Sequence, residues 1–492
     1  MKILIWLQSG KIPFFSELSK ILKEKGHDIQ FVVRDKIIKK NLNFFLNNNS
    51  KEIEEKNIFI EEDKNINSNK ILKLSKQYEK KYNFNISYYI SQDRGLGRGY
   101  LINADNYPFI KRSGWNYYKK IRYFMRDFVY YEKILNKTKP KIVLSIAPLP
   151  LLYLICRKKK INYFSLSYSK LGERFLWSDN EFGTLNILKT IIRKNLKSKI
   201  NKKTPSNIFK IIKKNTATFA HSVNKYSYKA NFENFIKFTL LFIIRKFRGL
   251  DKKNSYTYLS WILRYYRIPK AFNYIKNNSI SNLRNIKQKY IYIPMHLEPE
   301  MALQNFSPEF TNTFEMITSI SKNLPTQYFI VLKEHPEMYG IRSISYYQKL
   351  KQIPNVIFAN PNFSSFDLIK NSLAVATITG TAGFEAVFLK KQVLSFGIHQ
   401  IINDLPTVHF CTNYYDTKHN IKKLFQKSKK INYGLSQSTL YHSIHKYSFE
   451  LKDIDKLDDA FFNVKKSLKT RLTDITIWNK LATISVKNLK LK

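Results

Sequence analysis

Cysteine is nearly absent, with only Cys156 and Cys411 in 492 residues. Two cysteines so far apart exclude a disulfide framework, lack the spacing of metal ligands, and fit a reducing cytoplasm. Glycine and proline are scarce as well, at 14 and 15, which excludes a collagen-like chain and argues against extended linkers. Long hydrophobic runs are missing. The longest uncharged one, "IVLSIAPLPLLYLIC" (142–156), contains two prolines and falls short of the roughly 18–20 residues that a spanning helix needs. The opening "MKILIWLQSG" has one lysine and a short apolar run, too little for a signal-peptide core with a small-residue cleavage site. The expectation is a cytoplasmic protein that is not integral to a membrane.

Acidic residues are also few, 36 against 85 Lys and Arg, for a formal net charge of +49. Such an excess points to anionic partners: phosphates, nucleic acid or an anionic membrane face. Lys, Asn, Ile, Tyr and Phe are abundant together, as in A/T-rich coding sequence, so part of the charge is background composition. No helix-turn-helix pattern and no basic-aromatic RNA-binding pattern accompanies it, so nucleic acid is not an expected partner. A peripheral position on the anionic inner membrane face stays open.

What the chain does have is alternation. "KILIWL" (2–7) is a continuous apolar strand, "FFSELSKILKEKGH" (14–27) has helical spacing with Gly26 as its cap, and "IQFVVR" (29–34) is the next strand. "KIVLSIA" (141–147) and "INYFSLS" (161–167) continue this parallel sheet. Residues 180–280 are Lys- and aromatic-rich and helical. Within them "FENFIKFTLLFIIRKFRGL" (232–250) is amphipathic, either a helix packed on the domain or a membrane-surface helix. A second alternation has strands at 289–294, 327–334, 355–360, 374–379 and 392–397, with helices at 309–323, 343–351, 364–372 and 382–390. From about 419 onward the pattern is helical and Lys-rich. The expected division is a Rossmann-like domain with a helical insertion over 1–280, a second Rossmann-like domain over 281–418, and a helical segment over 419–492 that packs back across them. Ligands of such sheets bind beyond the carboxyl ends of the strands, which directs attention to the strand-end loops.

After 374–379 comes "GTAGFEA". Thr379, Gly380 and Thr381 sit between a strand and a helix, where small residues allow close approach and the helix amides favour an anion. An ordinary Thr cap with a glycine turn reads the same way. Glu385, one turn in, is either an acceptor for ribose hydroxyls or an acid in the first turn. After 289–294 comes "MHLEPE", where His296, Glu298 and Glu300 offer acid–base work or cation binding, or are solvated loop charges. After 327–334 comes "KEHP". Pro336 forces His335 into extended geometry at the strand tip, where an imidazole can donate to a phosphate or protonate a leaving oxygen; the alternative is a lone surface histidine. "SQDRGLGRGY" (91–100) reads as a flexible basic loop with Asp93, Arg94 and Arg98, and "SKLGERF" (169–175) adds Arg174 at a strand end. No P-loop, zinc spacing or Gly-x-Ser-x-Gly elbow is present.

Taken together, "YIYIPMHLEPE", "VLKEHP", "PNVIFANPNFSSFDLIKNS" and "TITGTAGFEAVFLKKQVLSFG", in this order and spacing, resemble the capsular polysaccharide biosynthesis proteins, a family that includes bacterial β-Kdo transferases. The resemblance is densest over 289–400; "DRGLGRGY" and "KLGERF" look family-like as well. The His-Pro pair and the Ser/Thr loop are shared with bacterial sialyltransferases and polyol-phosphate transferases.

The resemblance implies an α/β protein of the GT-B class, two Rossmann-like doubly wound domains facing a cleft, with extra helices. It implies an inverting glycosyltransferase of surface polysaccharide synthesis, with a CDP-polyol phosphotransferase of teichoic-acid-like polymer synthesis or a non-catalytic polysaccharide assembly protein as the alternatives. The donor would be a nucleotide sugar, CMP-activated and Kdo-like, bound by the second domain, and the acceptor a glycan or glycolipid on the first. His335 with Pro336, Thr379, Gly380 and Thr381 would meet the donor phosphate, and Glu385 would lie near the nucleoside. No metal or cofactor is expected, since a CMP leaving group carries one phosphate. Asp93 and Glu300 are the candidate bases, with His335 as a third catalytic residue. Arg94, Arg98, Arg174, His296 and Glu298 are candidates for acceptor or cleft contacts. The family tends to Gln-Pro-Glu where this chain has Glu298-Pro299-Glu300, which shifts weight from Glu298 to Glu300.

Overall fold

The computed structural model describes residues 1–7, 11–33, 42, 46, 52–54, 68–93, 96, 115–199, 203–217, 223–247, 258–282, 289–298, 303, 307, 310, 313–426, 431–452, 454 and 468–489. In chain order the strands are β1 (Lys2–Leu7), β2 (Asp28–Val33), β3 (Glu52–Glu54), β4 (Ile142–Ser145), β5 (Asn162–Tyr168), β6 (Arg174–Ser178), β7 (Ser279–Ile280), β8 (Tyr290–Pro294), β9 (Phe329–Lys333), β10 (Val356–Ala359), β11 (Ala374–Thr377), β12 (Gln392–Ser395), β13 (Val408–Phe410) and β14 (Phe449–Glu450). They form two seven-stranded sheets, and the chain divides into two compact units, each assembled from separate segments.

The first unit comprises Met1–Ile86, Ile121–Lys194 and Tyr441–Lys492. Its sheet runs β14-β6-β5-β4-β1-β2-β3, parallel from β5 to β3. The segment after β5 is not a loop that ends at 175. Lys170 and Gly172, both at positive φ, turn the chain so that Arg174 opens β6, antiparallel to β5. Positive φ is easy for glycine, which has no Cβ to clash. The buried faces of β1, β2 and β4 meet the helix Ile12–Glu24, and the C-terminal helix Leu468–Asn488 joins the same core through Trp478, Leu481 and Val486. Asn479 donates to buried Glu17 at 3.2 Å, and Trp177 Nε1 to the Ser485 carbonyl at 3.0 Å. These apolar and polar contacts tie the end of the chain to its beginning.

The second unit comprises Ser87–Lys120 and Asn195–Leu440. Its sheet is wholly parallel, ordered β13-β12-β11-β8-β9-β10-β7. Near-continuous apolar strands such as "VIFA" and "QVLS" suit a sheet covered on both faces. The chain runs outward from β8 through β9 to β10, then crosses to the other side of β8 for β11, β12 and β13. The order therefore reverses between β8 and β11. At such a switch point the loops diverge and leave a crevice at the carboxyl ends of the strands. Of the Lys- and aromatic-rich helices expected with the first domain, those from 208 to 277 group with this unit instead. Tyr226 stacks on Phe272 at 5.0 Å and both rings meet Tyr339 edge to face at 5.0 and 5.4 Å, which fastens the helix Tyr258–Asn277 to the segment that follows β9.

Candidate functional site at the switch point of the second sheet

Three loops leave the carboxyl edge of this sheet side by side, after β11, β8 and β9. A buried histidine organises the first two. His296 follows β8, and its Nε2 lies 3.1 Å from Thr377 Oγ1, 3.3 Å from the Ile378 amide and 3.4 Å from the Thr379 amide. Thr377 Oγ1 accepts from the Gly380 amide at 2.9 Å, so its own proton is directed to the imidazole. With Nε2 accepting, the ring proton belongs on Nδ1. That atom faces Thr313 Oγ1 at 3.5 Å, and Thr313 donates its hydroxyl and its amide to Glu298 Oε1 at 2.5 and 2.7 Å. His296 is thus the neutral hub that fixes the path of residues 377–380.

Arg342 links this hub to the third loop. Its guanidinium, 1 % exposed, donates to the His296 carbonyl at 2.8 Å, pairs with Glu298 Oε2 at 2.8 Å, and bonds Glu334 Oε1 through Nη1. Glu334 Oε1 in turn accepts the amide of His335 at 2.6 Å. Burial pushes the Glu334 carboxyl up against the opposing pull of Arg342. The neighbouring carboxylates outweigh burial at Arg342 and keep it charged. One hydrogen-bonded chain thus runs from the loop after β11 to the loop after β9.

His335 caps the short helical turn Pro336–Met338, in extended geometry at φ −70°, ψ 129°, as a residue before proline should be. Its Nδ1 accepts from the Glu337 amide at 3.2 Å, which leaves Nε2 as the N–H donor. The ring is half-buried. Glu337 pairs with Lys225 and with Arg264, both at 3.2 Å. Burial raises its carboxyl, but these two cations bring it below the usual range. Gly340, at φ +77°, is pressed so closely on the helix Tyr258–Asn277 that a Cβ would lie 2.8 Å from the Arg264 carbonyl.

In the loop after β11, Gly380 precedes the helix Thr381–Phe388 with no side-chain cap. The first N–H groups of any helix lack intrahelical acceptors and carry its positive end. Thr379 is buried and Thr381 exposed. A Cβ on Gly380 would sit 2.8 Å from Thr377 Oγ1, and one on Gly397 would sit 2.2 Å from the Ile378 carbonyl, which accepts from Gln400 Nε2 at 2.9 Å. Glu385 is buried in this helix, and burial pushes its carboxyl up to about 7. Lys333 at the end of β9 donates to the Phe363 carbonyl and to Ser365 Oγ; burial pushes its ammonium down to about 8.

The sequence candidates therefore fall into groups. His296, His335, Thr379, Gly380 and Thr381 occupy the three loops at the switch point, with Pro336 opening the turn beside His335. Glu298 does not offer a ligand-facing carboxylate; it is 3 % exposed, and its two oxygens are engaged by Thr313 and Arg342. Arg174 is held within the first unit. It donates to Ser448 Oγ at 2.8 Å, to the Ser448 carbonyl and to the His445 carbonyl, and so clamps β6 to the segment that forms β14. Asp93 is exposed just past the helix Ile86–Gln92, where its Oδ1 accepts from the Leu96 amide at 2.8 Å. Arg94, Arg98, Pro299 and Glu300 lie outside the described residues. Arg342 and Thr313 escaped the sequence reading because no motif surrounds them. Among the described residues no group of three or more His, Cys, Asp or Glu is arranged to hold a metal ion.

Residues 198–402 match the family described as capsule polysaccharide biosynthesis protein. The resemblance seen over 289–400 is borne out there, and the match includes all three loops. Among curated proteins, Protein FixF of Sinorhizobium fredii (strain NBRC 101917 / NGR234) is 32 % identical over 111 residues, which are 22 % of this chain and 26 % of that protein. The chain thus spans about a quarter of the length of this relative. Among solved structures, the β-Kdo 2,7 transferase KpsC of Thermosulfurimonas dismutans is 12 % identical, with 67 % of this chain and 88 % of that chain covered at a TM-score of 0.32. A UDP-GlcNAc 2-epimerase of Methanocaldococcus jannaschii, in complex with UDP-GlcNAc and UDP, is 13 % identical over 91 % of this chain and 100 % of its own, at 0.29. A glycosyltransferase of Rickettsia africae is 13 % identical over 100 % and 99 %, at 0.28.

Proposed function

We propose that the protein is a glycosyltransferase of capsule polysaccharide synthesis and that the switch point of its second sheet holds the phosphate of a nucleotide-sugar donor. The observation that carries the reading is the hydrogen-bonded chain from the amides of 378 and 379 through His296, Arg342 and Glu334 to His335. It keeps an N–H donor, the His335 Nε2, and an uncapped helix N-terminus on neighbouring loops of one sheet edge. Inverting transfer needs a group that stabilises the departing nucleotide phosphate and a base for the acceptor hydroxyl. In this reading His335 Nε2–H and the first amides of the helix Thr381–Phe388 hydrogen-bond the phosphate as charge develops on it. Glu385, expected near the nucleoside, is as buried as Glu298 and has no part in this reading. A carboxylate, Glu300 or Asp93, takes the acceptor proton. The donor is a CMP-linked acidic sugar of the Kdo kind and the acceptor a glycan or glycolipid, as the family resemblance suggests.

The test is to incubate the purified protein with a panel of CMP-, CDP- and UDP-linked donors and measure the released nucleotide, for wild type and His335→Ala. Release of CMP from a CMP-sugar, reduced about a hundredfold or more in the variant, supports the reading. Release of CMP from a CDP-polyol alone would replace it with a polyol-phosphate transferase. No release and no nucleotide binding across the panel would overturn both.

A further inference from the structure

The helix Tyr228–Phe247 in the second unit has two unlike faces. One packs on the helix Tyr258–Asn277, where Phe238 stacks on Tyr265 at 5.0 Å. The opposite face carries Phe232, Ile236, Leu240, Ile243, Ile244 and Phe247, all exposed, with Phe232 at 63 % and Phe247 at 89 %. Their spacing of three and four residues makes one continuous stripe, about 22 Å long at 1.5 Å per residue. A contiguous apolar face of this kind marks an interaction site rather than scattered exposure.

The charge around the stripe selects the partner. On this helix Lys229 and Lys237 are exposed, against Glu233 beside Phe232, and from Tyr228 to Lys253 the sequence has seven Lys or Arg against Glu233 and Asp251. A second copy of the chain would bring two strongly basic surfaces together, which like-charge repulsion opposes. Among the described residues no helix is long and apolar enough to cross a membrane. An apolar face flanked by basic residues on a helix that does not span is what lies in the plane of an anionic lipid surface, with apolar side chains below the headgroups and cations among them.

We propose that the helix Tyr228–Phe247 docks this protein on an anionic lipid bilayer through its Phe232–Phe247 stripe. The proposal stands apart from the nucleotide reading, because vesicle binding and nucleotide release are separate measurements. Flotation with vesicles of phosphatidylcholine containing about one third phosphatidylglycerol should carry the protein, and vesicles of phosphatidylcholine alone should bind it at least about tenfold more weakly. Raising salt from about 0.1 to about 1 M should weaken the binding. Leu240→Glu/Ile244→Glu should reduce it at least about tenfold, with an unchanged circular dichroism spectrum. Phe247→Ser, at the most exposed position of the stripe, provides a second variant should the first misfold. Binding that is absent in wild type, or equal in wild type and both variants, overturns the proposal. So does a wild-type dimer in light scattering that the double variant dissociates, since the stripe would then be a contact between copies.

Discussion

Each sheet has a switch point in its strand order, between β1 and β4 in the first unit and between β8 and β11 in the second, and the described loops at the two are held by different chemistry. In the first unit the loop after β4 is closed by neutral groups. Ser145 Oγ bonds the Ala147 carbonyl at 2.8 Å and the Tyr163 hydroxyl at 2.9 Å, and that hydroxyl accepts the Leu149 amide at 2.8 Å. In the second unit the loops are held by two carboxylates, a guanidinium and an imidazole, nearly all out of water. Burying charges is a poor way to gain stability, because desolvation offsets most of the attraction. What the charged network supplies is geometry: it ties three loops to one another, whereas the hydroxyl network, among the described residues of the first unit, closes the loop after β4.

The largest effect on this contrast should come from Arg342→Met. It leaves Glu298 and Glu334 buried without their cation and should cost about 3–5 kcal/mol of stability, read by urea unfolding. A loss below about 1 kcal/mol would mean that the network holds nothing in place. Glu385→Gln should act next, through pH. The buried carboxyl titrates near 7 when folded and near about 4.3 when unfolded. Between those values the folded state binds more protons, so this group makes stability fall as pH rises, by up to about 4 kcal/mol. The glutamine variant should lose that slope and be the more stable protein above pH 7. Equal pH slopes in thermal melts of the two proteins would contradict the burial of Glu385. Gly397→Ala drives a Cβ against the Ile378 carbonyl and should cost about 1–3 kcal/mol while weakening nucleotide binding. A variant that binds as well as wild type would show that the path of residues 377–380 is immaterial to the ligand. Tyr163→Phe, in the first unit, should cost the least, about 1 kcal/mol, and leave nucleotide binding unchanged.

Much of this architecture was legible in the sequence, for physical reasons. Buried parallel strands are continuous apolar runs, so β1, β2 and β8 to β12 could be placed to within a few residues from runs such as "KILIWL" and "QVLSFG". Pro336 and Gly380 marked two of the three loops because proline and glycine act on the backbone locally. Short edge strands carried no such signal: β3, β7 and β14 span two or three residues each. Neither did long-range polar pairing. Glu298 looked like a loop carboxylate because its partner Arg342 lies 44 positions away in an unremarkable segment, and Arg174 looked like a ligand-binding cation because Ser448 is separated from it by most of the chain. The grouping of the helices from 208 to 277 with the second unit was hidden for the same reason. It depends on edge-to-face packing of Tyr226 and Phe272 on Tyr339, which no local pattern announces. The stripe on Tyr228–Phe247 was visible as amphipathicity, but which of its faces met the protein was not.

The most direct measurement is amide hydrogen exchange with and without CMP, read at both switch points in one experiment. The expected result is slowed exchange over residues 378–382 and 335–338 on adding CMP, with residues 146–149 unchanged. Protection centred on 146–149, or none at 378–382 at a CMP concentration that calorimetry shows to be saturating, would contradict a phosphate site at the charged switch point of the second unit.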